Sequence, residues 1–531
     1  MKEQERQRFS GLKWKFALMA LVFFAASIIG GAHAYGRQLS ENNDPPGPIW
    51  HQSPQAYAAN FSLSSFRTNA DSVIGGGSGV MAFSLQQQPF EKPEEVPLRD
   101  DDPEYNKKSP VWAAGLLVIT NNVLVWAVDR FVFNYSWSHI GPTSWKHNFQ
   151  TGWEWDTDRL GMNFFFHPYT GGSYFNAARA NGYTYFGSLP FTFLGSLTWE
   201  YFGETTLPSY NDIINTTVSG ALFGEILYRL TSNILDDRTT GAERFFREFA
   251  AAILSPGRAI SRLLQGKLTR VTPREVYQKE PVNIALAAGV HIFNKGASFG
   301  TGSVSGVLGM QLDYGVPFEI RPRKPFDVFK FRIELSYGKS VGKKYLDNLI
   351  AYGLLFGKTI HSGNLELLFG AFQHYNYWDS HIFELSALGF DGGILAKWKL
   401  SENSNLQSSF HLGVVPLSAS NSPQVDIVEA GLHLRNYDYS GGVEAKFEAT
   451  LNLANIGQVT AMYYIYGLHT YIGPAGNKVM SIFKPRIAIS LLKNLSLGFE
   501  YLLYAKNTQL RDFPDVHTNN SEQKIYLMLY F

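Results

Sequence analysis

From Pro281 to the end of the chain, apolar and polar side chains alternate in segment after segment. Val282, Ile284, Leu286, Ala288, Val290 and Ile292 are interleaved with Asn283, Ala285, Ala287, Gly289 and His291. Phe329, Phe331, Ile333, Leu335 and Tyr337 alternate with Lys330, Arg332, Glu334 and Ser336, and Val443, Ala445, Phe447, Ala449 and Leu451 with Glu444, Lys446, Glu448 and Thr450. Leu495, Leu497, Phe499 and Tyr501 repeat the pattern against Ser496, Gly498 and Glu500. A period of two sends successive side chains to opposite faces of a strand, so each segment has one apolar and one charged or small face. At roughly ten residues apiece, these are the length of tilted strands crossing a bilayer, apolar to lipid and polar to a lumen. A soluble sandwich also alternates. It rarely keeps Lys, Glu and Arg on one face and aromatics on the other through so many consecutive strands.

Turn signals such as Ser362-Gly363-Asn364, Asn403-Ser404-Asn405 and Lys493-Asn494 separate the segments. Strands are predicted near 282–293, 303–315, 327–339, 348–360, 364–376, 382–399, 404–415, 427–453 with a break, 457–470, 481–492, 494–505 and 523–531. That is about twelve, an even number of the kind single-chain bacterial barrels use. Residues 427–439 read either as a strand or as part of a long loop. Tyr463, Tyr464, Tyr466, Tyr501 and Tyr504 read as interfacial girdles.

The two ends of the chain place this barrel. The last strand stops on Phe531, the aromatic terminus that outer-membrane assembly machinery reads on its substrates, so that machinery is one expected partner. Lys2, Arg6, Arg8, Lys13 and Lys15 precede an apolar run from Phe16 to about Ile29, then Ala32-His33-Ala34. This is a secretory signal, residues 1–34, rather than an anchor, because the run is shorter than the roughly 20 residues a spanning helix needs. The expected location is the outer membrane of a Gram-negative cell, with membrane lipid as surroundings.

Composition agrees and excludes other classes. Aromatics make up 15 % of the residues and charged groups only 17 %. There is no cysteine, hence no lipoprotein acylation, disulfide or thiolate metal site. A net charge of +1 gives no field for nucleic acid. Residues 35–108 are rich in Asn, Gln, Ser, Pro and Gly and then acidic, and read as a disordered periplasmic leader with one short ordered patch near Val80, open to a periplasmic partner.

Residues 109–268 read as a helical domain docked in or under the barrel, which itself spans 280–531. The segment 111–132 is apolar enough to span a membrane, but Asn121 and Asn122 at its centre argue for a helix buried against protein. Helices are expected from Ser173 to about Asn181, from Pro190 to Glu204, over 210–232 behind a Ser209/Asp212 capping box, and over 242–254 and 258–264.

This domain carries the candidate chemistry. Glu200 and Glu204 are four apart on one helix face, where like charges repel unless a cation, a metal or a shared proton intervenes. With His167 and Asp212 they form either an acid-rich pocket for proton transfer or cation binding, or a set of structural pairs. In the structural reading Arg179 neutralises Glu200 or Glu204, Glu225 pairs with Arg229, and Asp212 caps its helix. Gly220-x-x-x-Gly224 would admit a close helix. No H-E-x-x-H, G-x-S-x-G or phosphate-loop pattern occurs, and His167 alone gives no metal or cofactor site. In the barrel, Lys330, Arg332, Glu334, Glu444, Lys446, Glu448, Lys484, Arg486 and Glu500 mix both signs. They predict a lumen filled by ion pairs rather than an open, selective pore.

The elements Gly152-Trp153-Glu154-Trp155-Asp156, His167-Pro168-Tyr169, Ala178-Arg179, Trp199-Glu200-Tyr201, Pro208-Ser209-Tyr210-Asn211-Asp212 and Gly220 to Glu225 resemble an uncharacterised bacterial family, domain of unknown function 3943. That resemblance implies an outer-membrane location and supplies no activity, substrate or residue role. Two functions therefore stand side by side: an envelope barrel whose helical domain plugs or gates the lumen, and an enzyme modifying outer-membrane lipid or lipopolysaccharide through the acidic helix residues.

Overall fold

The computed structural model describes residues 108–531 apart from 297–298, 301, 339–345, 430–431 and 454. The expected signal and nearly all of the expected leader lie outside the described residues.

The alternating half closes into one antiparallel barrel. Its strands are β1 (Val282–Lys295), β2 (Ser303–Tyr314), β3 (Phe329–Tyr337), β4 (Leu346–Ser362), β5 (Leu365–Asp379), β6 (Glu384–Ser401) and β7 (Ser404–Asn421). After a small hairpin of β8 (Ile427–Glu429) and β9 (Leu432–Arg435) come β10 (Tyr437–Leu453), β11 (Gly457–Ile472), β12 (Gly476–Leu492), β13 (Leu495–Leu510) and β14 (Val516–Tyr530). The hairpin stands apart as its own two-stranded sheet, so twelve strands form the wall. The ambiguous stretch near residue 427 is thus a loop ornament, and the wall strand begins at Tyr437. β14 closes on β1 in the register Leu286↔Leu529, and Phe531 exchanges backbone hydrogen bonds with Ile284.

Outward positions away from the helices are apolar and exposed, among them Phe410, Leu412, Val443, Phe447, Phe483, Ile487, Phe499, Ile525 and Leu527. Inward positions are charged and buried, and they pair both across the lumen and along its wall. Arg332 on β3 meets Glu448 on β10 at 2.8 Å, although five strand steps separate them around the wall. Lys524 holds Glu334 at 2.5 Å, Lys446 holds Glu444 at 2.6 Å, and Lys478 pairs with Asp438. Phe383, in the β5–β6 loop, stacks on Tyr504 at 4.1 Å. The lumen is filled, as the mixed charges predict. Tyr464, Tyr466 and Tyr504 belong to this filling and not to a girdle: they are buried, and Tyr464 donates to Glu448.

The helices are α1 (Val111–Ala127, continued by a π-helical turn Val128–Val132), α2 (Pro142–Thr151), α3 (His167–Arg179, preceded by a π-helical turn Met162–Phe166), α4 (Tyr185–Phe202), α5 (Tyr210–Ile234), α6 (Gly241–Leu254) and α7 (Pro256–Leu264). They lie against the outer face of the wall, not in or under the lumen as the sequence reading has it. Side-chain parity decides this. Gln373 and Tyr375 share the outward face of β5 with exposed Phe369, and they bond Val218 O and Phe164 O on the helices. Outward-facing Phe356 stacks on Phe186 at 5.3 Å. One apolar cluster joins Phe164, Phe175, Leu222 and Ile226 to Met310, Leu312, Ile333, Leu349 and Leu417 of the strands.

The packing inside this layer follows from small residues. A Cβ at Gly171 would sit 1.9 Å from Thr216 O, and one at Gly220 2.6 Å from Gly171 Cα, so α3 and α5 touch backbone to backbone. Asn122 donates to Gly195 O and Thr198 Oγ1, which turns the asparagines of α1 toward α4. The opposite side of α1 is not buried: Trp112, Leu116, Val123, Phe131 and Val132 are exposed, continuing the barrel's apolar surface. The expectation of a helix buried against protein holds for only one of its faces.

Candidate functional site

α5 begins near the barrel end that bears Tyr437 and Tyr439 and descends toward the end holding Pro281 and Phe531. Around its first turn, three of the candidate residues converge. Ser209 caps α5 by accepting from Asp212 N at 3.3 Å. A full capping box would return the Asp212 carboxylate to the backbone of Ser209. Instead Ser209 N donates to Glu200 Oε2 at 2.8 Å, from the last turn of α4. The Asp212 carboxylate accepts from Asn211 Nδ2 at 2.9 Å and from the Ser209 hydroxyl, and its Oδ1 lies 3.5 Å from His167 Nε2, at the start of α3. His167 Nδ1 lies 3.2 Å from Thr216 Oγ1. One ligating atom each from His167, Glu200 and Asp212 falls within 4.8 Å of the others.

Glu200 and Asp212 are buried, and no group donates to Glu200 Oε1. Two buried carboxylates with no cationic side chain paired to them, one with an oxygen left bare, are costly when ionised, so the centre calls for a proton or a cation. Glu204 stands just beyond α4, half-buried. Its carboxyl is held well above the ordinary glutamate value, first by burial and then by the charges of Glu200 and Asp156. The donor set of one imidazole and two carboxylates suits either a shared proton or a divalent ion, and the fold gathers what His167 alone could not announce.

The arginines go elsewhere. Arg179 Nε meets Glu225 at 2.9 Å, not Glu200 or Glu204 as the structural reading supposes. Arg229 pairs with Glu225 at 2.8 Å, as expected, and with Asp327 of the β2–β3 connection at 2.9 Å. Arg179, Glu225 and Arg229 thus form a separate structural network that fastens the helices to the wall.

Aromatic residues surround the acidic centre. Trp153 Nε1 donates to Tyr201 Oη at 3.0 Å, Phe149 stacks on Tyr201 at 4.4 Å, and Trp155 packs on Tyr439 at 4.9 Å. Tyr439 and Tyr437 donate to the carbonyls of Asp156 and Asp158, and Asn163 donates to both tyrosine hydroxyls. The segment carrying Asp156 is tied to the site by Glu154, whose N–H donates to Pro208 O and whose carbonyl accepts from Tyr210 N. The sequence reading assigned no role to Asn163, Asp156, Tyr437 or Tyr439. The signal was ambiguous, because tyrosines at outward positions near a strand end also suit an interfacial girdle.

Residues 152–257 match the family model described as domain of unknown function (DUF3943). No curated protein matches the chain. Among solved structures, the outer-membrane channel DcaP of Acinetobacter baumannii aligns at 9 % identity over 48 % of this chain and 97 % of its own, with a TM-score of 0.22. The NanC porin aligns at 7 % over 46 % and 98 %, TM-score 0.25. OmpT of Vibrio cholerae aligns at 7 % over 48 % and 98 %, TM-score 0.20. The architecture itself rests on the chain's own strand pairing. The protein is a closed twelve-stranded antiparallel β-barrel preceded by helices, of which residues 152–257 match a domain of unknown function.

Proposed function

We propose that the protein is an outer-membrane enzyme acting on the head group of an outer-leaflet lipid or lipopolysaccharide, through the His167–Glu200–Asp212 centre. The observation that carries this reading is the convergence of buried carboxylates and an imidazole, unneutralised by arginine, at the rim of a membrane barrel. Barrels of this type keep short turns and both termini on the periplasmic side and longer loops outside. Four of the five turns at the Phe531 end span only a few residues, so the acidic centre falls at the outer boundary of the bilayer. Its belt of Trp and Tyr has the chemistry of a membrane interface. In this reading Glu200 and Asp212 hold a proton or a divalent ion, His167 moves a proton against Asp212, and Glu204 sets the charge of the mouth. Transport or gating by a plug loses its support, because the helices lie outside a wall whose lumen is crossed by ion pairs.

The test is lipid mass spectrometry on outer membranes of a deletion strain, complemented with the wild type or with Glu200→Gln/Asp212→Asn. A lipid species restored by the wild type and missing with the folded double variant is the expected result. Identical lipid profiles in all strains would overturn the enzyme reading.

A further inference from the structure

A second cluster lies inside the barrel, away from the helices. His374 on β5, Asp391 on β6 and His411 on β7 point into the lumen from three adjacent strands. Their ligating atoms fall within 4.8 Å of one another, and all three residues are buried. His374 Nε2 is 3.4 Å from Asp391 Oδ2 without a hydrogen bond between them. Neither oxygen of Asp391 and neither ring nitrogen of His411 has a hydrogen-bond partner. Four buried polar atoms left bare in one place contradict the rule that such groups are satisfied, unless something binds there.

The wall is shaped around them. Gly389, Gly393 and Gly413 occupy the neighbouring inward positions. A Cβ at Gly393 would stand 2.4 Å from His411 Nδ1, and one at Gly413 2.2 Å from Asp391 Oδ1. The glycines are what let the ligands occupy this part of the wall. Tyr352 stacks on His374 at 5.0 Å, and Phe372 packs edge-on against His411 at 4.6 Å, fixing both rings. The nearby ammonium of Lys446 forms its ion pair with Glu444 at 2.6 Å, and the Glu444 carboxyl in turn adjoins Asp391, adding negative charge to the cluster.

We propose that His374, Asp391 and His411 bind a borderline divalent transition metal, zinc in the first instance, inside the barrel. Two imidazoles and a carboxylate are a recurrent donor set for zinc and its neighbours. Bonds of about 2.0–2.2 Å to each ligand require the three atoms to draw together slightly from their present spacing. This leaves a further coordination position, toward Glu444 or solvent. Such an ion would close the lumen on the β5–β7 side and take up one nitrogen of each imidazole and the Asp391 carboxylate. The assignment stands apart from the helical centre and does not depend on its activity.

The experiment uses full-length protein, stripped with chelator in detergent and titrated with Zn²⁺, with Co²⁺ as a spectroscopic substitute. Glu200→Gln/Asp212→Asn serves as the background, so that the helical centre cannot contribute. One equivalent bound, with a raised unfolding temperature and visible Co²⁺ bands from an imidazole-containing site, is expected. His411→Gln and Asp391→Asn should each weaken binding at least about tenfold while the barrel keeps its heat-modifiable folded band, a loss of roughly 1.4 kcal/mol or more. If either variant fails to fold, the background protein alone decides. No stoichiometric Zn²⁺ and no thermal shift, or full binding retained in the folded variants, overturns the proposal.

Discussion

At the residue scale, what separates a structural carboxylate from a candidate functional one in this protein is whether an arginine reaches it. Glu225 is fully buried between Arg179 and Arg229. Replacing it by Gln removes the anion that Arg179 and Arg229 share, leaving Arg229 its pair with Asp327, and removing one partner of a buried pair typically costs about 3–5 kcal/mol. Glu225→Gln should therefore lower the unfolding temperature markedly, which thermal or denaturant unfolding in detergent will read; an unchanged midpoint would show that the network is not structural. Glu204 behaves in the opposite sense. Its folded value is raised, so its contribution to stability is fully present below the ordinary glutamate value of 4.5 and is lost as pH rises through the folded value. The wild type should become easier to unfold as pH rises above the ordinary glutamate value, and Glu204→Gln should flatten that slope. A slope unchanged in the variant would place the pH dependence elsewhere.

At the scale of elements, the strands were legible because alternation is a property of the chain itself. The expected boundaries near 282, 303, 404 and 457 coincide with observed strand starts. The helices were read less well, each for a local reason. α3 begins at His167 rather than Ser173 because a π-helical turn over Met162–Phe166 leads into it, and Pro168 suits a first turn. α4 begins at Tyr185 under a Thr184 cap and carries Pro190 within it, where the sequence reading started the helix. α2 was missed: Asn148 is its one buried residue, so it has no apolar core face to betray it. The glycine contact of α5 was visible as Gly220-x-x-x-Gly224, but its partner on α3 was not. Gly171→Val forces a branched side chain against Thr216 O and should separate α3 from α5. Overpacking of this kind costs about 1–3 kcal/mol or more. Proteolysis should then release the helical layer from a barrel that stays folded; a layer as resistant as the wild type's would contradict the close contact.

At the scale of the whole molecule, sequence could not say which face of the wall the helices occupy. Met310, Leu312, Ile333 and Leu335 look the same whether lipid or a helix covers them. The clue lay in Gln373, an amide at an outward position that a lipid-facing wall would not carry and that here donates to Val218 O; Tyr375, Tyr377, Tyr437 and Tyr439 read equally well as girdle residues. The candidate centres were hidden for a related reason. Each draws its members from separate elements, one histidine or carboxylate at a time, and only closure of the fold assembles them. The arrangement that results is a barrel filled by its own charges, with a helical layer on its flank that places an acidic centre at the rim.

That arrangement rests on the helices lying outside the wall, and the absence of cysteine from the native chain makes it directly measurable. The measurement is cross-linking in outer-membrane vesicles of Phe186→Cys with Phe356→Cys, whose rings stack on the outer face. A short bismaleimide should join this pair in high yield and leave Phe186→Cys unreactive toward Ile350→Cys on the lumen side. Cross-linking to Ile350→Cys, with none to Phe356→Cys, would put the helices in the lumen and contradict the account.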